Sequence, residues 1–417
     1  MTEQALPGFD VDLGVEWEPT RAFALERLDR FLPSAGGAYA SRRNFDLGPK
    51  DRSNVSALSP LIRHRLILEE EVLRKALERH RPDEAEKFVQ EVIWRAYFKG
   101  WLEHRPIVWR RYCEERDRLI QTLESDSGLE TRYAAAVSGR TGLPYFDHWT
   151  ETLLKSGYLH NHSRMWYASI WIYTLELPWE LGADFFLRQL LDGDPASNTL
   201  SWRWVGGLHT PGKTYLARAD NIERFTRGRF RPGDELAREA PPLWEPPLGA
   251  VEPLRAAETA PMDRPFALLL TEEDCHLESL ALPHRPELVI ASPGPEARSP
   301  LPLSEPAQSF AQGALRDALN RAQQHFELPP DQALERPKQE WATALAERNL
   351  DTLVMAETPV GPTRDALRDL ETQFSAQGIR LVSLRREYDS TIWPHAQKGF
   401  FNLRRRIPRL LSQLDLT

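Results

Sequence analysis

The feature that most constrains this chain is a change of periodicity across a proline-rich break. Before the break, apolar residues recur at helical spacing. "PTRAFALERLDRFL" follows a Thr start, and "SALSPLIRHRLILEEEVLRKALERH" and "DEAEKFVQEVIWRAYFKGWLEHR" repeat the i, i+3, i+4 pattern with acidic starts and basic ends. "DHWTETLLKSGYLHNHSRMWYASIWIYTLEL" is apolar on all sides, as buried helices are. No strand alternation is visible up to residue 230. The break itself, "RPGDELAREAPPLWEPPLGAVEPLRAAETAPMDRP" (231–265), reads as an extended, semi-rigid linker. After it come short apolar runs, "FALLLT" (266–271), "ELVIAS" (287–292), "DTLVMAE" (351–357) and "IRLVSL" (379–384). Helical patterns lie between them, around 308–326, 337–349 and 362–377. Such alternation predicts βαβ units on a parallel sheet covered on both faces. The expected fold is therefore multidomain: a helical domain over 1–230, a Pro-rich linker over 231–264, and a Rossmann-like α/β domain over 265–417.

Composition narrows the class. A length of 417 residues fits two domains, and 41% hydrophobic with 27% charged residues is ordinary for a globular protein. No run approaches a membrane span. The start "MTEQALPGFDVD" lacks the basic-then-apolar order of a secretory signal, and Cys113 and Cys275 are too few for a disulfide framework or a cysteine zinc site. A reducing cytoplasm, no membrane and no metal are expected. The net charge of −8 argues against a general nucleic-acid binder. Locally, however, residues 203–231 carry seven Lys and Arg against Asp220 and Glu223. Nine of the 13 tryptophans fall between Trp94 and Trp204. They are core-forming residues, or a setting for a flat aromatic ligand or for electron transfer between rings.

Three segments carry candidate chemistry. "SALSP" places Ser56 and Ser59 at a helix start with Pro60 in the first turn. That is plain capping, or a cradle of free N–H groups for phosphate. In "EVIWRAYF", Glu91 and Trp94 project from one side of a helix, with Arg95 turned one position away. In "LHNHSRM", Asn161 and Met165 are one turn apart, and Arg164 stands in so apolar a segment that it needs an anionic partner, Asp192 or Asp194. No Gly-rich phosphate loop follows the first expected strand, where "LLLTEEDCHLE" is acidic.

The stretches "TGLPYFDHWTETLLKSGYLHNHSRMWYAS" and "PWELGADFFLRQLLDGDPASNTLSWRW" resemble the FAD-binding domain of the DNA photolyase and cryptochrome family. "SALSP" and "EVIWRAYF" are similar to its phosphate segment and its Glu-x-x-Trp-Arg helix, so the matches span roughly residues 20–205. More weakly, residues 350–394 look like the later part of the family's antenna-type α/β domain, which in the family comes first. The resemblance thus implies a circular permutation. The "TEEDCHLE" departure leaves an antenna chromophore, of folate or flavin type, open.

Carried over position by position, the resemblance implies that Tyr39, Ser56 and Ser59 help hold the FAD phosphates and ribityl chain. Leu58 of the same segment is a further cofactor contact, and Arg95 reaches the phosphate region. Arg164 and Asp192 form an ion pair beside the isoalloxazine ring, Asp194 lies on its polar edge, and Asn198 faces flavin N5. Glu91, Trp94, Asn161, Met165 and Trp204 match positions lining the pocket of enzymes that split cyclobutane pyrimidine dimers. Trp94 and Trp204 would stack on the lesion, and a buried, protonated Glu91 would donate a hydrogen bond to it. Trp202 and Trp179 match the inner two members of an electron-transfer chain. Its outer tryptophan is missing from 110–148, where only Tyr112, Tyr133 and Tyr145 stand, so Trp166 or Trp171 are alternative exits. His162 takes the place of a basic residue and, with Arg203, Lys213 and Arg218, is expected on the DNA side. The implied function is light-driven repair of UV-damaged DNA by a monomer. The alternative is a cryptochrome-like receptor without repair, favoured by the acidic balance and by "KTYLARADN" after Trp204.

Overall fold

The computed structural model describes residues 17–417, and the acidic N-terminal stretch considered above lies outside them. From Arg21–Phe31 to Ala219–Phe225 every element is helical. Thr20 caps the first helix through its side chain, which accepts from Phe23 N–H at 3.2 Å. The helix Asn161–Ser169 runs directly into a π-turn, Ile170–Thr174, which re-aims Trp171 into the core. Residues 231–265 form neither helix nor strand, as their prolines require. They are nevertheless pinned along their length. Arg111 donates to the Pro246 and Pro247 carbonyls, Glu252 N–H bonds to His104 C=O, and Leu243 packs on Gly206.

Five strands follow: β1 Ala267–Leu270, β2 Leu288–Ala291, β3 Ala333–Glu335, β4 Thr352–Ala356 and β5 Arg380–Leu384. All pairs are parallel, in the order β3-β2-β1-β4-β5. Four strands fall where the apolar runs predicted them. β3 was not foreseen, because "ALE" is too short and polar to signal itself. The sheet is covered on both sides. Ala267, Leu269, Ile290, Leu353 and Met355 face a small core with Trp341, Leu367 and Phe374. Leu268, Leu270, Val289, Val354 and Val382 belong to the same core as the helical half. The chain ends in short helices: Glu387–Ile392 and Phe400–Arg404 pack against the long helix Pro82–Glu103, and Ile407–Gln413 packs against Glu387–Ile392. Gly100 permits this approach: a Cβ there would lie 2.8 Å from the Trp393 backbone.

The strand order reverses between β1 and β4, where open α/β sheets form a ligand crevice beyond their carboxyl ends. Here that crevice is filled with charge. Arg63, fully buried, donates to both Glu273 oxygens at 3.0 and 2.9 Å, and Arg298 donates to Glu272 at 2.8 Å. Arg65 reaches Asp274 at 3.1 Å and Asp389 at 2.6 Å, and Arg386 grips Asp274 at 2.6 and 2.7 Å. The acidic "TEED" stretch is thus the socket for arginines contributed by both halves. Among the described residues no helix is long and apolar enough to cross a membrane.

Candidate functional site

The loop between the helices Trp179–Gln189 and Pro195–Val205 brings the charged residues together. Gly193 is required at its apex, since a Cβ there would come within 2.5 Å of the Arg298 guanidinium and 2.7 Å of Leu187 C=O. The glycine sends its two neighbours to different partners. Asp192 receives a two-pronged bond from Arg164, at 3.0 and 2.9 Å, and Arg164 Nε donates to Leu159 C=O at 2.9 Å. Burial pushes the Asp192 carboxyl up, but Arg164, the Ser59 hydroxyl and Arg95 outweigh it and hold it below the usual carboxylate range. Asp194 caps the following helix by accepting from Ser197 N–H at 2.7 Å, and lies 3.4 Å from Arg95 and 3.7 Å from Lys99. Despite burial, those cations and Arg63 hold it well below the ordinary value.

Around this loop, Arg95 donates to Ser59 C=O at 3.2 Å, and Arg27 donates to Ser56 C=O at 2.8 Å. Ala57 adopts a left-handed conformation (φ 49°) that turns the chain between the two serines. Leu58 is 1% exposed and sits in the hydrophobic core, so only its backbone faces the site. Tyr39 packs edge-on against Phe31 and Phe88, and burial together with nearby Glu91 pushes its hydroxyl pKa up. Asn198 donates its amide to Ala183 C=O at 2.7 Å, which fixes the direction of its side chain. Three basic residues escaped the sequence reading. Lys99 is buried and its ammonium makes no hydrogen bond. Arg52 lies 4.3 Å over the Tyr158 ring with Nη1 buried and unpaired, and Arg27 lies near it. Burial lowers the pKa of both arginines. Unfilled donors on buried cations are what an anionic ligand with many acceptor oxygens would satisfy.

The expected lesion pocket is less open. Trp94 is half-buried, and Phe400 from the C-terminal region lies on it at a ring separation of 3.7 Å and 33°. Trp204 is half-buried and stacks on Tyr215 at 5.5 Å and 29°. Asn161 is exposed and Met165 half-buried, one turn apart on their helix. Glu91 is not the buried acid expected: its side chain is 46% exposed and Arg43 lies 3.7 Å away, while burial outweighs Arg43 and raises the Glu91 pKa.

The tryptophans of the expected electron path have these ring neighbours. Trp202, 2% exposed, meets Trp171 edge-on at 6.1 Å, and Trp171 meets Tyr133 at 6.1 Å. Trp179 instead neighbours Tyr112 at 5.7 Å. Trp166 stacks on Trp149 and His162, so of the two alternative exits Trp171 is the one in contact with Trp202.

Two expected DNA contacts are corrected by burial. Arg203 is 3% exposed and paired with Glu245, and His162 bonds Asn44 C=O at 2.9 Å beneath Tyr215. Neither can reach a phosphate. Lys213 and Arg218 are exposed, with Arg218 chelating Asp220 at 3.0 and 2.9 Å.

A helical fold that gathers these residues has a counterpart among known proteins. Residues 88–229 match the family model described as the FAD binding domain of DNA photolyase. Over that stretch the chain is similar to the FAD-binding domain of photolyases. The chain is 30% identical over 204 residues to a deoxyribodipyrimidine photo-lyase of Agrobacterium fabrum, covering 48% of this chain and 41% of that protein. It is 32% identical over 199 residues to the Thermus thermophilus protein of the same name, covering 48% and 45%. Among solved structures, a class III photolyase from Agrobacterium tumefaciens aligns with a TM-score of 0.43 at 29% identity, over 53% of this chain and 46% of that one. The chain thus spans less than half the length of these curated relatives.

Proposed function

We propose that this protein is a light-driven flavoprotein lyase that splits cyclobutane pyrimidine dimers in UV-damaged DNA. The observation that carries the reading is the Arg164–Asp192 pair, set between Ser59, Arg95 and the loop apex. The donor set fits FAD. Arg27, Arg52, Ser56 and Tyr39 would serve its phosphates, while Arg164, Asp192, Asp194, Lys99 and Asn198 would surround its ring. When bound, FAD supplies light-driven one-electron chemistry.

The chain's own residues hold and orient. Arg164 is fixed by Asp192 and Leu159 C=O, so its charge cannot swing away from the site. Asp194 is locked by its capping bond and by two cations. Trp202, Trp171 and Tyr133 offer a ring-to-ring route toward the surface, taking the part expected of Trp202 and Trp179. Trp94, Trp204, Asn161, Met165 and Glu91 would meet the lesion, and Lys213 and Arg218 its backbone. The module order, a helical domain over 1–230, a linker over 231–264 and an antenna-type domain over 265–417, is read as a circular permutation of the family arrangement.

A second reading, a cryptochrome-like receptor, is favoured by Phe400 lying on Trp94. One experiment separates the two: illumination of the purified protein with dimer-containing single-stranded and duplex DNA. Light-dependent loss of dimers supports the lyase. A flavin spectrum with no loss of dimers leaves the receptor, and no flavin spectrum refutes both.

A further inference from the structure

The segment 398–409 carries Lys398, Arg404, Arg405, Arg406 and Arg409 with no acidic residue, inside a chain of net charge −8. Phe400, Leu403 and Ile407 point inward and are buried. Their packing turns Lys398, Arg405, Arg406 and Arg409 to water, together with Phe401, which is 72% exposed. Arg404 is paired with Glu86 at 2.8 Å, and Arg405 bonds Asn402 of its own helix. Among the described residues, no carboxylate pairs with Lys398, Arg405, Arg406 or Arg409. Burial, then Arg406 and Arg409, lower the pKa of His395 beside them. The rim continues through Arg105, which donates to Gln397 C=O at 2.7 Å and lies 4.3 Å over Trp101. Phe400 ties the segment to the site, since its ring rests on Trp94.

We infer that segment 398–409 is a strand-binding surface. Lys398, Arg405, Arg406 and Arg409 grip the phosphodiester backbone of DNA beside Trp94, and Phe401 stacks on an unpaired base. The inference rests on the DNA-directed reading above. Exposed guanidinium groups without a carboxylate partner match phosphate oxygens, and an exposed aromatic among them is the usual platform for single strands. A membrane surface would call for several apolar side chains facing outward, whereas here Phe401 stands alone among cations. Neither Arg203 nor His162 competes for the role, being buried.

The test is fluorescence anisotropy of the full chain with a labelled thymine-rich single strand, its UV-irradiated form and a duplex, across a salt series. The triple variant Arg405→Glu/Arg406→Glu/Arg409→Glu should bind at least about tenfold more weakly. It should also lower the slope of log K against log salt by about 2, at ~0.7 per phosphate contact on single strands. Phe401→Ala should weaken the single strand more than the duplex. Both variants should keep the wild-type flavin content and Tm. Wild-type binding with an unchanged triple variant overturns this inference and leaves the proposed function standing. A wild-type protein that binds no DNA overturns both. If the substitutions abolish binding to phosphatidylglycerol vesicles and spare DNA, the surface is a membrane contact and the inference falls.

Discussion

Replacing Arg63 with Met should destabilise the whole chain, not the site alone. Arg63 is fully buried, donates through Nε to Gly193 C=O at 3.1 Å, and holds Glu273 with two bonds while lying 3.6 Å from Glu272. Without it Glu273 keeps only the Thr363 hydroxyl at 3.1 Å. Removing one partner of a buried pair typically destabilises by about 3–5 kcal/mol, and an unsatisfied Gly193 carbonyl adds about 1 kcal/mol. Unfolding entropy of about 2.1 cal/mol/K per residue gives roughly 0.9 kcal/mol per degree for a chain of this length. A loss of ~5 kcal/mol therefore lowers Tm by about 5–6 °C. Because the network joins the two halves, the wild type should melt in one calorimetric transition. The double variant Arg63→Met/Glu273→Leu removes both charges and should recover most of the loss. A single variant within about 1 °C of wild type, a double variant no better than the single one, or separate melting of the two halves would refute the reasoning.

Arg164→Ala strands the buried Asp192 carboxylate and should lower flavin content on purification, with Arg164→Lys intermediate because the two-pronged bond is lost; absorbance per mole of protein reads the effect. Phe400→Ala uncovers one face of Trp94, so acrylamide should quench tryptophan emission more and irradiated single strands should bind several-fold more tightly. Unchanged quenching would show that Trp94 is closed by something else. Burial, then Arg203 and Arg105, hold the His209 imidazole at about 4, and burial holds His160 at about 4. The folded chain therefore prefers both rings neutral, so their stabilisation is complete above the ordinary value near 6.5 and is lost as pH falls from there toward 4. Urea midpoints at pH 7 and pH 5 measure it, and His209→Asn should reduce the difference between them.

The fold was legible wherever one periodicity ran long enough. The helices of the first half announce themselves through repeated apolar faces and capped starts, and Thr20 does cap the first of them. β1, β2 and β4 were visible because strands buried on both faces read as continuous apolar runs, and the half-buried edge strand β5 was visible through Leu381, Val382 and Leu384. β3 was hidden because a three-residue edge strand with a charged end has no period to display. The π-turn at Ile170–Thr174 was equally invisible, since it continues the helix Asn161–Ser169 with no change in the apolar pattern.

The site was legible in its residues, while the Arg164–Asp192 pairing came only through the family resemblance. Nothing in "DGD" says which carboxylate takes Arg164; the Gly193 carbonyl bonded to Arg63 and the cap donated to Asp194 decide it. Arg203 was read as a surface cation because its neighbourhood is basic, yet its place on the helix turns it inward to Glu245. The sheet half likewise turns charge inward. Glu272, Glu273 and Asp274 are buried and matched by Arg63, Arg65, Arg298 and Arg386. Charge neutralised inside contributes little to the outer field, so the surface of that half is more positive than its residue count. The run 398–409 is where that difference emerges, beside a tryptophan that the neighbouring Phe400 keeps covered.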